Sequence, residues 1–313
     1  MKTFLKSTAL SLMLATGLVA PALAADFPSK PIKIVNPWPP GDLEDVLGRI
    51  FASHMQDDFG VPAKLVNVVG GGGVIGVNEV VTAKPDGHTM GVFVGDFLTL
   101  LPILGNVPFK SSDMEPVGIY LTYPFILAAK ADAPYNNLKE LAEYAQDHKV
   151  SLGHFGYEIV ATLSTFDVAK GMGFEFGSDA AFDMVDCSVV LSGDADVITT
   201  TSQIVMPCIN SGEVKPIAAY SEERISLFPD VGTLGEQTGM EIPTLWNGVF
   251  VPKGTPKEVK DKLAAEIQVA LASEEAVAIG KASGAPLFWV GGDEAQAWID
   301  RDYKLVEKMV AER

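Results

Sequence analysis

Basic residues are scarce in this chain. Its 313 residues include 23 Lys and Arg against 40 Asp and Glu, which gives a formal net charge of −17. Nucleic-acid affinity comes largely from Lys and Arg that neutralise phosphates, so we expect no nucleic-acid partner. A strongly negative protein also repels small anions at long range, although salt screens this field within about 10 Å. Any anionic ligand must therefore be held by donors that contact it directly.

Motifs of catalysis and of metal binding are also missing. The four histidines share no metal-ligand spacing, and neither G-x-S-x-G nor H-E-x-x-H occurs. We therefore predict that the protein is not an enzyme and has no cofactor and no metal site of its own. The two cysteines, Cys187 and Cys208, do not form a C-x-x-C motif. They are compatible with one disulfide or with two buried thiols, because the sequence does not give their separation in space.

Long apolar runs are confined to the N-terminus. Residues 1–24, "MKTFLKSTALSLMLATGLVAPALA", combine a short basic start, an apolar run and small residues before the predicted cleavage near Ala24 and Ala25. We read them as a secretory signal peptide. No later segment reaches the roughly 20 apolar residues of a membrane-spanning helix. The mature protein is expected to be soluble and exported, and we expect it to be a monomer.

Apolar periodicity along the rest of the chain alternates between strands and helices. "IKIVNPW" is a β-branched run, and "DVLGRIFASHMQDDFG" after it has helical spacing and ends at a glycine. "AKLVNVV" and "HTMGVFVG" read as further strands, and "DAAFDMVDCSVVLSG" reads as a helix. Such alternation predicts α/β lobes with mixed or mostly parallel sheets flanked by helices. We expect two lobes, hinged by crossing strands: lobe 1 from 26–122 and 245–313, and lobe 2 from 123–244.

Two glycine-bearing loops each follow a strand and precede a helix. The first is Pro39-Pro40-Gly41-Asp42, and the second runs from Gly70 to Gly73. Glycine lets the backbone approach a ligand closely and adopt positive φ, and free N–H groups at such helix starts hold anions. In α/β proteins, ligands lie at the carboxyl ends of the strands. These two loops are therefore the predicted ligand contacts of lobe 1.

These loops also carry a resemblance to a known family. "FPSKPIKIVNPWPPGDLEDVLGR", "VNVVGGGGVIGVNEVVTAKPDGHTM" and "FPDVGTLGEQTG" followed by "LWNGVFVPKGTPKEVKDKL" resemble the solute-binding component of tripartite tricarboxylate transporters, the Bug family. The resemblance implies a two-lobed, type II-like periplasmic receptor. Such a receptor closes on a small organic acid and delivers it to a membrane permease. It also implies that Gly41 with its neighbours and residues 70–74 form two ligand loops.

Departures from the family pattern fall on the expected ligand loops. The family commonly has a second glycine where this chain has Asp42, and a hydroxyl residue where it has Glu44. Val74 replaces a common polar residue, and in the distal lobe Leu163 replaces a histidine whereas Thr162 matches a serine. An ionised Asp42 that points inward would repel a ligand carboxylate by roughly 4 kcal/mol at 4 Å and an effective dielectric of 20. The usual substrate of the family is thus not assured for this chain.

The acids of the first loop allow three interpretations. Asp42 and Asp45 can cap the helix as an N-cap and its N3 partner, with Glu44 left as an exposed first-turn acid. Alternatively, Asp42 or Glu44 faces the cleft and pairs with a cationic or zwitterionic solute. In the third interpretation the acids gather a metal ion together with the solute.

We predict a receptor that captures a small carboxylate or zwitterionic solute between its lobes and delivers it to the permease subunits of a tripartite tricarboxylate-type transporter. The alternatives are a periplasmic receptor that signals to a sensor kinase, and a binder of an amine-bearing solute through Asp42 and Glu44. The predicted ligand-binding residues are Trp38, Pro40, Gly41, Asp42, Glu44, Gly71, Gly72, Gly73, Val74, Asp96, Tyr157, Glu158, Thr162, Thr200 and Trp246.

Overall fold

A computed structural model describes residues 27–312, so the predicted signal peptide lies outside the described residues. Residues 27–312 form eleven strands: β1 Ile32–Asn36, β2 Ala63–Asn67, β3 Thr89–Val94, β4 Met114–Thr122, β5 Phe125–Lys130, β6 Ser151–His154, β7 Ser178–Ala181, β8 Val197–Thr201, β9 Val214–Ala219, β10 Trp246–Pro252 and β11 Leu287–Gly291. The α-helices of the same range are α1 Leu43–Phe59, α2 Val74–Val81, α3 Leu100–Leu104, α4 Leu138–Ala145, α5 Val160–Gly171, α6 Cys187–Ser192, α7 Ser202–Asn210, α8 Leu234–Thr238, α9 Lys257–Leu271, α10 Glu274–Ser283 and α11 Gly292–Ala311.

The strands form two mixed sheets, one in each lobe. The first sheet has the order β11-β4-β10-β3-β1-β2, and the second has the order β7-β6-β8-β5-β9. In the first sheet β1 is parallel to β2 and β3, whereas β10 is antiparallel to β3 and β4. In the second sheet β6 is parallel to β7 and β8, whereas β5 is antiparallel to β8 and β9. The predicted α/β fold with two mixed sheets is confirmed.

Each sheet is covered by helices on both faces, because its side chains alternate between two hydrophobic cores. In β1, Ile34 belongs to the core with α1 and α9, and its neighbour Val35 belongs to the core with α2 and α3. In β5, Leu127 packs with α4 and α5, and its neighbour Ile126 packs with α6 and α7. Both sheets are therefore held rigidly, and their loops project from fixed strand ends.

The two lobes meet where the chain crosses between the sheets. The first crossing follows β4 at Tyr123, and the second precedes β10 at Leu245. The Tyr123 N–H donates to the Leu245 carbonyl at 2.6 Å, so the two crossings run side by side. Helix α11 connects the lobes as well, because Ile299 packs in a core of the first sheet and Val306 packs in a core of the second. The lobe boundaries themselves stay a prediction.

One predicted helix is only partly helical in the structure, and the structure also shows how the two cysteines are paired. The segment "DAAFDMVDCSVVLSG" is not one helix, because its start pairs with β6 as the edge strand β7 and only Cys187–Ser192 is helical. All four residues of β7 are exposed, so the strand has no apolar alternation by which to recognise it. The two cysteines form a disulfide, Cys187–Cys208, with a Cα separation of 6.4 Å, which joins α6 to α7.

Candidate functional site

A cavity of about 960 Å³ lies between the lobes, at the upper end of the usual 300–1,000 Å³ range of ligand pockets. The first sheet contributes strand ends and the loops that follow them, and the second sheet contributes the loops after β6 and β7 together with the end of β8. The lining residues are Trp38, Pro39, Asp42, Glu44, Gly71, Gly72, Val74, Val94, Gly95, Asp96, Phe97, Leu101, Asn106, Val107, Tyr123, Phe125, Phe155, Gly156, Tyr157, Glu158, Ile159, Phe182, Asp183, Thr201, Leu245 and Trp246.

Aromatic rings form much of the cavity wall. Trp38 packs against Phe97 with ring centroids 5.7 Å apart, and Phe125 packs edge-on against Phe155 at 6.2 Å. Trp246 is 1% exposed and its indole N–H donates to Asp302 at 2.8 Å, so the ring is fixed in place. Such a wall favours a solute with an apolar body.

Asp42 is the N-cap of α1, as one interpretation predicted. Its carboxylate accepts the Asp45 N–H at 2.6 Å and the Asn36 amide at 3.3 Å. Asp45 reaches back to the N–H of Gly41 at 3.0 Å rather than to that of Asp42, and it also pairs with Arg49 at 2.8 Å. Asp42 nevertheless lines the cavity, so capping and facing the cleft are not alternatives.

The prediction that Glu44 is an exposed first-turn acid under the capping interpretation is wrong. Glu44 is 1% exposed, lines the cavity and accepts a hydrogen bond from the Tyr123 hydroxyl. Burial raises the pKa of Glu44 to about 8, with the charge of Asp42 adding to the shift. Burial also raises the pKa of Asp42 to about 6. At neutral pH Glu44 is therefore largely protonated, and Asp42 is largely ionised.

Two buried polar side chains that interact electrostatically with Glu44 have no hydrogen-bond partner within residues 27–312. They are the amide of Asn247 and the hydroxyl of Tyr120, and both residues are 0% exposed. Asn247 lies close enough to lower the pKa of Glu44, whereas the charge on Glu44, after burial itself, raises the pKa of Tyr120 well above its ordinary value. Buried polar groups are nearly always hydrogen-bonded, so these two call for an explanation.

The second glycine loop needs its glycines for backbone shape. Gly70, Gly71, Gly72 and Gly73 all have positive φ, from 57° to 126°. A Cβ on Gly73 would lie 2.5 Å from the Phe97 ring, so this residue supports the wall without lining the cavity. The N–H groups of Gly71 and Gly72 donate to no acceptor within the described range, and both residues face the cavity.

Asp96 reaches across the cleft to the other lobe. Its carboxylate accepts the N–H of Val160 at 3.3 Å, so it caps α5 of the second lobe rather than the helix that follows it in sequence. Burial raises the pKa of Asp96 to about 7. Nearby, the Asn106 amide donates to Glu158 at 3.4 Å. Two side-chain contacts thus bridge the lobes at the cavity.

The structure brings most of the predicted residues to one cavity, but not all of them. Those outside the lining are Pro40, Gly41, Gly73, Thr162 and Thr200. The Thr200 hydroxyl points to the opposite face of β8 and donates to the Val185 carbonyl at 2.5 Å, whereas its neighbour Thr201 lines the cavity. Thr162 is 0% exposed. The binding roles of the predicted residues stay predictions.

Sequence reasoning missed several lining residues, among them Tyr123, Phe182 and Asp183. The predicted lobe boundaries fall at residues 123 and 245, and this placement at the crossing between the lobes is the signal in the sequence that points to Tyr123. The two others lie in a stretch that was read as a helix.

The acid-base groups of the lining are dominated by carboxyl side chains. Five acids line the cavity, and no Lys, Arg or His from residues 27–312 does so: the acids are Asp42, Glu44, Asp96, Glu158 and Asp183. Within the same range, no group of three or more His, Cys, Asp or Glu side chains has a geometry that could hold a metal ion. No helix of this range has the length and apolar character needed to cross a membrane.

Comparison with known proteins gives consistent matches over nearly the whole chain. Residues 47–288 match the family described as "Tripartite tricarboxylate transporter family receptor". A curated relative from Pseudomonas sp. strain P51, named as a UPF0065 protein in the tcbD-tcbE intergenic region, is 31% identical over 279 residues, or 83% of this chain and 81% of the relative. Protein BugT from Bordetella pertussis is 28% identical over 299 residues, which cover 90% of this chain and 89% of BugT.

Solved structures show the same fold. A TctC solute-binding protein from Polaromonas, without ligand, superposes with a TM-score of 0.80 at 26% identity, over 92% of this chain and 100% of that protein. The periplasmic binding protein BugD superposes with a TM-score of 0.73 at 27% identity, over 91% of this chain and 98% of BugD. MatC from Rhodopseudomonas palustris with bound malate superposes with a TM-score of 0.72 at 23% identity, over 91% of this chain and 100% of MatC. An R. palustris protein with adipate superposes with a TM-score of 0.74 at 21% identity, over 91% of this chain and 98% of that protein.

Proposed function

This chain belongs to the tripartite tricarboxylate transporter receptor family, and from that premise we propose that it captures one small carboxylate-bearing solute in the periplasm and delivers it to permease subunits in the membrane. It has the two-lobed α/β fold of periplasmic binding proteins. The family consists of solute-binding receptors and not of enzymes. The proposal concerns the solute, its delivery, and export through cleavage of the signal near Ala24 and Ala25.

One observation carries this proposal: both lobes line a single cavity of about 960 Å³. A solute that contacts both lobes favours the conformation in which they are closed, because it binds that conformation more tightly than the open one. A permease can then distinguish loaded from empty receptor by its shape. The cavity wall supplies aromatic surface for the body of the solute, and the N–H groups of Gly71 and Gly72 are donors for a carboxylate.

A carboxylate as part of the solute is supported by two solved structures of the same fold, which contain malate and adipate. Those ligands are dicarboxylates. Five acids line the cavity of the present chain, and an ionised acid among them would repel the second carboxylate of such a ligand. We therefore propose a solute with one carboxylate and a second functional group that is not an acid.

A thermal-shift screen of the mature protein against organic acids, amino acids, amines and sugars tests the function. A bound solute raises the melting temperature because it stabilises only the folded state. We expect one class of charged organic solute to raise it, and chromatography to return that solute unchanged. Stabilisation by uncharged sugars alone would refute the proposed function.

A further inference from the structure

The charges around the cavity do not match a ligand that is only an anion. Five carboxyl groups line it, and no basic side chain of residues 27–312 does. At neutral pH, Asp42 is largely ionised. A second ligand carboxylate placed 4 Å from an ionised acid would lose about three orders of magnitude in affinity at an effective dielectric of 20. A ligand with a positive group would gain from the same field.

The surroundings of Glu44 are suited to its ionised form. The Tyr123 hydroxyl already donates to its carboxyl group. The hydroxyl of Tyr120 and the amide of Asn247 are fully buried and have no partner within the described range; the Asn247 amide lowers the pKa of Glu44, and the charge of Glu44 raises the pKa of Tyr120. A carboxylate accepts more hydrogen bonds than a neutral carboxyl group. Ionisation of Glu44 would therefore provide an acceptor for the unpaired Tyr120 hydroxyl and Asn247 amide N–H groups.

A cation beside Glu44 would favour its ionised form, because an opposite charge lowers the pKa of a carboxyl group. We propose that an ammonium group of the solute fills this role, lying against Glu44 and Asp42, so that the substrate is an amine-bearing organic acid rather than a dicarboxylate. This inference rests on the proposed function, since it names the second functional group of the captured solute. The solute carboxylate then lies away from the acids, at Gly71 and Gly72.

The aromatic wall supports the same class of solute. An ammonium group is attracted to the faces of aromatic rings when it is taken out of water. Tyr123 contributes both to the aromatic wall and to the surroundings of Glu44, because it lines the cavity and its hydroxyl donates to Glu44. An amine at this position would therefore be met by two carboxyl groups and by an aromatic ring.

A matched series of six-carbon solutes tests the inference on the mature wild-type protein. Adipate, 6-aminohexanoate and 1,6-diaminohexane differ only in their end groups; malate, the common α-amino acids and arylalkylamines extend the panel. We expect the amine-bearing acids to bind at least 100-fold more tightly than the dicarboxylates in titration calorimetry. A dicarboxylate that binds as tightly as any amine-bearing solute would overturn the inference and leave the proposed function intact. If no solute of any class binds, the proposed function falls together with the inference.

A variant pair assigns the effect to the proposed site. Glu44→Gln keeps the size of the side chain and its acceptor oxygen but cannot ionise. We expect this variant to bind the amine-bearing solute with about 100-fold lower affinity. The expected loss for a dicarboxylate is less than threefold. Glu143→Gln is the control, because it removes one carboxylate at a side chain that is 67% exposed on α4 and does not line the cavity. Equal losses for both solute classes in Glu44→Gln would contradict the assignment, and folding of the variant is checked by its melting temperature.

Discussion

Replacement of Glu44 by Gln is expected to stabilise the empty protein at neutral pH. Burial raises the pKa of Glu44 to about 8, from an ordinary value of 4.5. The folded state therefore holds a proton that the unfolded state releases between those two pH values, so stability falls as pH rises through this window. At pH 7 the difference amounts to about 3 kcal/mol, and below pH 4.5 it is close to zero. Gln has no such penalty and still accepts the hydrogen bond from the Tyr123 hydroxyl.

Melting temperatures of both proteins, measured from pH 4 to pH 8.5 without solute, check this expectation. A gain of about 3 kcal/mol corresponds to roughly 5–10 °C in a protein of this size. The advantage of Glu44→Gln should be close to zero at pH 4, reach about 3 kcal/mol at pH 7 and still increase towards pH 8.5, whereas Glu143→Gln should follow the wild type throughout. An advantage that does not change with pH, or a wild type that gains stability towards pH 8 relative to the variant, would refute the burial argument.

Two further predictions concern the loops and the proton on Glu44. Gly73→Ala should destabilise the protein by about 2 kcal/mol or more, because φ is 91° and the new Cβ would lie 2.5 Å from the Phe97 ring. Gly72→Ala is the matched control, since its φ is also positive at 62° but no atom lies within 4 Å of the added Cβ; equal melting temperatures for the two variants would contradict the steric argument. At pH 7, binding of an amine-bearing solute should release up to one proton, because the ammonium favours the ionised form of Glu44 over its neutral form. The groups that face Glu44 are Asp42, Tyr120, Tyr123 and Asn247, and Asp42 is already largely ionised at this pH. Calorimetry in buffers of different ionisation enthalpy measures the release, and a binding enthalpy independent of the buffer would argue against it.

The fold was predictable because its signals are local. Helix α1 follows from an N-cap aspartate, helical apolar spacing and the closing Gly60, whose φ is 67°. The buried strands of both sheets follow from β-branched runs between turns. Strand β7 was missed because its residues are exposed and polar in part, and only its pairing with β6 makes it a strand.

The site was predictable only as far as the two loops of lobe 1. Glu44 lies two residues after the N-cap, a position that is normally in contact with water, and its burial depends on Tyr123, which is 79 residues away. Along β8, three threonines alternate between faces, so Thr201 lines the cavity whereas Thr200 faces Val185. The sequence does not fix which of them points inward, because the register of a strand is set by its neighbours.

The first loop shows how capping and recognition can use the same residues. Asp42 satisfies the N–H of Asp45 and yet lines the cavity, so its role in the helix fixes the position of its charge. That charge, added to burial, keeps Glu44 protonated while the cavity lacks a cation. An ammonium group would reverse this balance, and the idle donors of Tyr120 and Asn247 would then stabilise the ionised carboxylate. Burial of Glu44 thus lowers the stability of the protein without solute at neutral pH, and a positively charged solute that favours the ionised carboxylate would offset part of this loss.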